Sequence, residues 1–415
     1  MQTSTPNFST IIIHNTTAGT VLSRTEESVK WEITARIRAA VVQVLSHITL
    51  VISSASILVL VVSFFWLYFT GSLFFDIAHY FLHKFSKSRY WILRCIGYLH
   101  EVHHLYFNRR LKFNDRYLWQ NMLCELPLEL SCQLFGTSLG YLAAQALSLT
   151  GPGLLSQELF HLVLVFEVIR SFVVAILEGR DSNHQSYSNV VPKDPHSFLV
   201  GPEYHALHHV DPSAYISSSF RVFDWFLGTS YTLRMRRIAM AGFSGAFSKV
   251  MKGELESKES VNCIHELPIH EDEEKMVEAL SNTDIMIVSP GDDSCESALK
   301  MIELFKQHYK ARPGHSLFLP EVWYIDSLNE TPSSERAFAP HVRKYYDAED
   351  IIYQHIIVSK PTSYFGKTFL GPDFAAKVAL WWVRRGARYI HVANLGSALW
   401  GYFKFFYSVR GQEVQ

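Results

Sequence analysis

At 415 residues the chain has room for two or three domains, taking roughly 150 residues per domain. Only 19% of its residues are charged and 48% are apolar; average usage is about 25% charged, so the balance leans toward a lipid environment. A formal net charge of −1 gives no electrostatic case for a nucleic-acid partner. The five cysteines (Cys95, Cys124, Cys132, Cys263 and Cys295) form no C-x-x-C pair. That argues against a disulfide framework or a zinc–thiolate site, and reduced thiols are expected.

Residues 1–23 are rich in Ser, Thr and Asn and lack the apolar stretch of a secretory leader. The segment 1–45 reads as an N-terminal extension, with two sequons at Asn7-Phe8-Ser9 and Asn15-Thr16-Thr17. Residues 39–75 carry no Asp, Glu, Lys or Arg, and Ile48 to Phe75 is the first expected membrane span; about 20 apolar residues suffice to cross the hydrocarbon core. A second begins near Tyr117 and is uncharged from Leu130 to Gln157. A third, Leu154 to Leu177, is interrupted by Glu167 and Arg170, which are expected to pair at i, i+3. Gly151-Pro152-Gly153 reads as the turn between them. Eight Lys and Arg residues lie between Asp76 and Arg116, and none between Arg116 and Arg170. This asymmetry puts the basic segment in the cytosol and the 151–153 turn in the lumen.

Three histidine clusters follow the first span. His79 and His83 form H-x-x-x-H; His100, His103 and His104 form H-x-x-H-H; His205, His208 and His209 repeat it. On a helix, positions i, i+3 and i+4 share a face, so each cluster is expected to aim its imidazoles at one point. A lone histidine is usually a surface or core residue, but eight imidazoles exceed what one four-coordinate zinc can use and suit two metals. Ligand type does not choose among iron, copper, nickel and zinc. A histidine-rich transporter would place its ionisable groups near the bilayer midplane. Here they fall just beyond expected spans, which argues for an enzyme rather than a transporter; a zinc hydrolase is the other rival reading. Asp76 and Glu101 are candidates to accept hydrogen bonds from ligand histidines and fix their tautomers.

Residues 76–228 resemble the fatty acid hydroxylase/sterol desaturase superfamily. The resemblance rests on Asp76-x-x-His79-Tyr-x-x-His83, His100-Glu-Val-His103-His104 and His205-Ala-Leu-His208-His209. It extends to Phe223-Asp224-Trp225-Phe226-Leu227-Gly228-Thr229, similar to that family's aromatic-Asp…Gly-Thr ending. It implies a mainly α, multi-pass membrane domain (46–236) in the endoplasmic reticulum, with a cytosolic, non-haem di-iron centre. It also implies molecular oxygen, a lipid substrate in the bilayer, and electrons from NAD(P)H through cytochrome b5 or a similar carrier. Asn183-His184-Gln185-Ser186-Tyr187 partly resembles the His-Ser-Gly-Tyr segment of the C-4 methylsterol oxidases, which makes His184 the expected ninth ligand. His161 and His196 are expected to lie outside the site.

Composition changes near Arg236. Residues 237–415 alternate short apolar strands (Ile238–Ala241, Asp284–Val288, Ser316–Ile325) with helices (Asp293–Tyr309, Pro372–Arg385), and 252–275 reads as a charged linker. That pattern predicts βαβ units and a smaller, Rossmann-like α/β domain with a parallel sheet. Gly242-Phe-Ser-Gly245-Ala-Phe-Ser248 resembles the phosphate turn of the extended short-chain dehydrogenases, with Ser248 in place of the third glycine. No Tyr-x-x-x-Lys follows residue 237, so reductase chemistry is not expected there and bound NAD(P) stays open. The two-part arrangement resembles the plant wax aldehyde decarbonylase type. Hydroxylation of a fatty acyl, sterol or other aliphatic lipid is the leading expectation, with desaturation or aldehyde decarbonylation as alternatives from the same ligands. A non-catalytic metal-binding membrane protein is a further alternative. The aromatic stretch Ser397–Tyr407 is expected either on a membrane surface or packed on the domain.

Overall fold

The structure is a computed structural model. It describes residues 57–147, 155–180, 183–187, 198–234, 236–242, 246–258, 263–267, 273–289, 295–310, 318–328, 350–359 and 371–392, with isolated positions in 31–46, at 261 and in 344–348. The sequons, the 48–56 start of the first expected span, the 151–153 turn, His196, Gly245 and Ser397–Tyr407 lie outside the described residues.

Helical and α/β regions are both present. The helices are α1 (Ile57–Ser86), α2 (Trp91–Tyr106), α3 (118–146), α4 (Gln157–Ile176), α5 (Pro202–Val210) and α6 (Val222–Leu227). Helix α3 is not uniform, because Asn121–Glu125 is a π-helical turn. The chain divides into two compact units, 1–67 with 141–166 and 68–140 with 167–415. The smaller has an apolar core of Leu67, Ala144, Leu155 and Val163, with the Tyr141 and Phe160 rings stacked at 4.4 Å. Two helices among the described residues, α1 (30 residues) and α4 (20 residues), are long and apolar enough to cross a membrane. The expected second span forms as α3, but that helix carries Glu125 and Glu129.

Within the larger unit the helices approach closely where side chains are missing. A Cβ on Gly136 would strike Phe74 and come within 2.7 Å of the Thr70 carbonyl. One on Gly97 would lie 2.9 Å from the Leu82 carbonyl and collide with Ser86. Small residues let helix backbones draw together, and the contact at Gly97 sets His100 beside His83. Glu167 and Arg170 are each engaged by α3 rather than serving as the expected i, i+3 pair. Thr137 donates to Glu167 (2.6 Å), while Arg170 binds Glu129 (2.7 Å) and Gln133 (2.6 Å). Their side chains thus tie α4 to α3.

The same unit holds a six-stranded, all-parallel sheet. Its strands are β1 (Arg237–Ala241), β2 (Cys263–Leu267), β3 (Ile285–Val288), β4 (Glu321–Leu328), β5 (Ile352–Ser359) and β6 (Tyr389–Val392), in the order β2-β1-β3-β4-β5-β6. The expected charged linker at 252–275 is a correction: it contains the end of helix α7 (Ala246–Lys258), all of β2 and the start of α8 (Glu273–Ser281). Among the described residues, its charges lie on helix faces and an edge strand, where polarity does not prevent regular structure. The remaining helices are α9 (Cys295–His308) and α10 (Pro372–Val383). Period-two alternation splits the strands between two cores. Ala239, Met286, Val322 and Tyr353 face α8 and α9, whereas Ile238, Ile285, Trp323 and Ile356 face α7 and α10. Helices cover both faces, as a buried parallel sheet requires.

Candidate metal centre

The nine histidines expected to bind metal come together, all within the larger unit. His79, His83, His100, His104 and His208 form one group; His103, His184, His205 and His209 form another. In each, the ligand atoms lie within 4.8 Å of one another. Each group could hold a metal ion. The expectation that a cluster aims all its imidazoles at one point needs correction for the two H-x-x-H-H motifs, because each motif supplies both groups. On a helix turning 100° per residue, i+4 falls about 40° past i, while i+3 falls about 60° short of it. So His100 and His104 share the first group while His103 turns to the second. On α5, His205 and His209 share the second and His208 turns to the first. His79 and His83, four apart on α1, stay together.

The facing atoms are Nε2 throughout. In the first group His79 and His208 lie 3.0 Å apart, His83 and His79 3.0 Å, His83 and His208 3.2 Å, and His100 and His104 3.1 Å. In the second, His184 lies 3.1 Å from His103 and 2.9 Å from His205, and His209 lies 3.1 Å from His205. Two nitrogens each about 2.1 Å from one ion and at right angles would be about 3.0 Å apart. The spacing therefore suits nitrogens sharing a cation.

Behind four of the rings, the opposite nitrogens face groups that direct the lone pairs inward. Nδ1 of His79 donates to the Ile216 carbonyl (2.9 Å), and Nδ1 of His208 to that of Ala214 (2.9 Å). Nδ1 of His103 meets Asn121 Oδ1 at 3.1 Å, and Nδ1 of His100 lies 2.9 Å from Glu125 Oε1. Asn121 and Glu125 are the first and last residues of the π turn in α3, and π turns occur frequently at functional sites. The five-residue turn presents both side chains toward α2. Sequence reading named Asp76 and Glu101 for this role. Glu125 takes it at His100, while Asp76 accepts from the backbone N–H (2.8 Å) and hydroxyl (2.7 Å) of Ser218. Asp76 thus acts indirectly, fastening the segment whose carbonyls hold His79 and His208. An acid inside an apolar stretch was the available signal for Glu125.

Asp224 anchors that segment from its other side. It is fully buried and accepts from Tyr204 Oη (2.6 Å), Ile216 N (3.0 Å), Ser217 N (2.7 Å) and the Thr229 hydroxyl. Gly228, in the left-handed region at φ +72°, ends α6 so that Thr229 turns back onto Asp224. The Asp-x-x-x-Gly-Thr ending is therefore a clasp for the loop bearing Ala214 and Ile216.

Burial, reinforced by neighbouring imidazoles, holds His103, His104, His205 and His209 well below the usual histidine range. Burial also pushes His208 down to about 3. At neutral pH these rings are uncharged, the form that ligates metal. His161 is exposed on α4 and is not among the nine.

Gly242 follows β1 with φ +80° and α7 begins at Ala246, so a strand precedes the expected motif and a helix follows within it. Ser248 is buried within α7. The strand order reverses direction between β1 and β3, the switch point where ligands bind in open α/β sheets.

No family model matches the chain. One curated protein that it resembles is the monoglucosyldiacylglycerol epimerase of Synechocystis sp. (strain ATCC 27184 / PCC 6803 / Kazusa), 24% identical over 200 residues. The match takes in 39% of this chain and 47% of that protein, so the chain spans about half the length of the curated relative it matches.

Proposed function

We propose that the chain is a membrane-bound, histidine-ligated di-iron oxygenase of the fatty acid hydroxylase/sterol desaturase type, hydroxylating a long aliphatic or sterol-like lipid. The observation that carries this reading is the division of nine buried or half-buried histidines into two adjacent groups. The donor set fits: neutral imidazoles suit iron, and five and four nitrogens suit two ions better than one. When bound, two irons would supply activation of molecular oxygen toward an unactivated C–H bond. The protein's own part is to hold the nitrogens through the Ala214 and Ile216 carbonyls, Asn121 and Glu125, and to keep water from the buried rings. Helices α1 and α4 cross the endoplasmic reticulum membrane, with the histidines on its cytosolic side, where a lipid enters from the bilayer and cytochrome b5 delivers electrons.

The deciding experiment is metal analysis of the purified full chain alongside oxygen uptake with reductant and lipid extract. Close to two irons per chain, and a product heavier by one oxygen atom, are expected. A single zinc with full activity would overturn the reading. Desaturated or shortened products would redirect it to the desaturase or decarbonylase alternatives at the same site. A glycosylation acceptor inserted near residue 152 should be modified and one near residue 110 should not; the reverse would place the histidines in the lumen.

The similarity to an epimerase of monoglucosyldiacylglycerol favours a second reading, stereochemical inversion on a lipid-linked sugar. It shares the expectation of a lipid substrate and differs in outcome, giving an isomeric product with no oxygen consumed.

A further inference from the structure

The corner that joins α1 to α2 carries positive charge with no carboxylate beside it in the chain. Between Asp76 and Glu101 there is no Asp or Glu, while Lys84, Lys87, Arg89 and Arg94 all fall in that interval. All four are exposed, and among the described residues none of them forms an ion pair. Their contacts are to neutral groups. Lys84 Nζ sits over the Tyr80 ring at 5.2 Å, and Arg89 Nη2 donates to Tyr90 Oη at 2.6 Å. Arg94 Nη1 donates to the Ser88 (3.1 Å) and Arg89 (2.9 Å) carbonyls, which pins the turn. A ring, a hydroxyl and two carbonyls leave the charges themselves uncompensated.

The same corner exposes large apolar side chains. Trp91 is 67% exposed and Ile92 56%, and Phe81, Tyr90, Ile96 and Tyr98 join them. At about 100° per residue, Trp91, Ile92, Ile96 and Tyr98 fall on the side of α2 turned away from Gly97, the residue packed against α1. His100 and His104 are buried on the opposite side, so the metal centre makes no use of this face. Clustered exposed apolar groups mark contact surfaces. Ile77 and Phe81 belong to α1, a helix long and apolar enough to cross a membrane, and its exposed apolar surface runs on into the corner.

We propose that the α1–α2 corner lies in the membrane interface and binds anionic phospholipid headgroups. The inference rests on α1 crossing the membrane and is independent of the metal and of the reaction. Trp and Tyr concentrate at the headgroup level of a bilayer, and basic residues immediately beyond a span attract acidic lipids of the cytoplasmic leaflet. Trp91, Ile92 and Ile96 would reach the acyl boundary, and Lys84, Lys87 and Arg89 would meet the acidic headgroups. A soluble acidic electron carrier would answer the charge but leave Trp91 and Ile92 in water between encounters. A second copy of this chain would cover the apolar groups but set like charges against one another. An anionic leaflet answers both demands, and it would hold the start of the second histidine helix at the bilayer surface.

The test is tryptophan quenching in the full-length chain, reconstituted into vesicles of phosphatidylcholine with a minority of phosphatidylserine. Bromine is carried on the acyl chains of one lipid or of the other. The chain has nine tryptophans, so the Trp91 signal is the difference between the wild type and Trp91→Phe. Brominated phosphatidylserine should quench that signal about tenfold more strongly per molecule than brominated phosphatidylcholine. Lys84→Gln, Lys87→Gln and Arg89→Gln together should remove the preference while Trp91 stays quenched. A Trp91 signal that neither lipid quenches overturns the proposal, because the face then meets water or a second copy. Equal quenching by the two lipids in the wild type overturns it as well, and so does a preference that the triple variant keeps. Washing with alkaline carbonate separates this inference from the membrane reading. A retained chain with unquenched Trp91 overturns the inference alone, whereas a chain that washes off overturns both. Should either variant fail to fold, spin-labelled phosphatidylserine and phosphatidylcholine report the preference on the wild type, and equal immobilised fractions overturn it.

Discussion

The histidine helices and the parallel sheet bury opposite chemistry in the same compact unit. Around the sheet, the interior is built from Ile, Val, Met and aromatic side chains on two alternating faces, and β1 and β3 are buried at every position. Around the histidines, imidazoles and the carboxylates and carbonyls that orient them are buried together with apolar side chains such as Phe75 and Phe107. The first kind of interior gains stability from apolar burial. The second brings rings together that gain nothing from one another until an ion sits between them. The contrast teaches that stability and site geometry are separable here, and that substitutions should sort accordingly.

The largest expected effect is loss of the ligands themselves. His104→Ala and His184→Ala should each lose bound metal and activity while the purified chain keeps its far-ultraviolet circular dichroism. His161→Ala, on an exposed ring, should retain both. A metal-replete His184→Ala chain would remove that residue from the second group. Next comes the apolar side. Phe305, fully buried on α9, should on replacement by Ala cost about 3–5 kcal/mol in chemical denaturation. Metal content of the folded fraction should not change. Metal loss in that variant would show that the two interiors are energetically coupled.

A smaller effect is expected from the groups behind the ligands. Glu125→Gln and Asn121→Ala should weaken metal affinity by about 10–100-fold, measured by chelator competition, without the complete loss seen for a ligand. Equal affinity would mean that the π turn has no part in orienting His100 and His103. The smallest effect, counted per pH unit, is a slope on the sheet. His355, on β5, is stacked between Tyr324 and Tyr389, and burial, then His391, push it from 6.5 down to about 3. The folded state holds it neutral, whereas the unfolded chain takes up a proton below about 6.5. Its contribution is therefore complete above that value and is lost as pH falls toward 3. The slope is about 1.4 kcal/mol per pH unit. Denaturation midpoints followed by tryptophan fluorescence should show the slope, and His355→Gln should flatten it.

The legible part of the molecule is the part written in local spacing. Intervals of three and four residues mark helices and nominate His79, His83, His100, His103, His104, His205, His208 and His209. The segment around His184 adds the ninth. A long uncharged run anticipates α1, and an apolar run interrupted by Glu167 and Arg170 anticipates α4. Strands such as Ile285–Val288 are visible as short apolar runs, whereas β2, with His265 and Glu266 in its five residues, is disguised as linker by its edge position.

What the sequence by itself determined is therefore which histidines gather into the two groups, the helical and α/β regions, and the parallel character of the sheet. All three follow from periodicity and chain alternation, which act over a few residues at a time. Only the tertiary structure decided the split into five and four nitrogens, because it depends on how α1, α2 and α5 are rotated about their axes when packed. Only packing brings Glu125 to His100, Asn121 to His103 and the Ala214 and Ile216 carbonyls to His208 and His79. A π turn and a clasped loop are set by contacts between segments up to 142 residues apart, and no local pattern encodes contacts over such a distance.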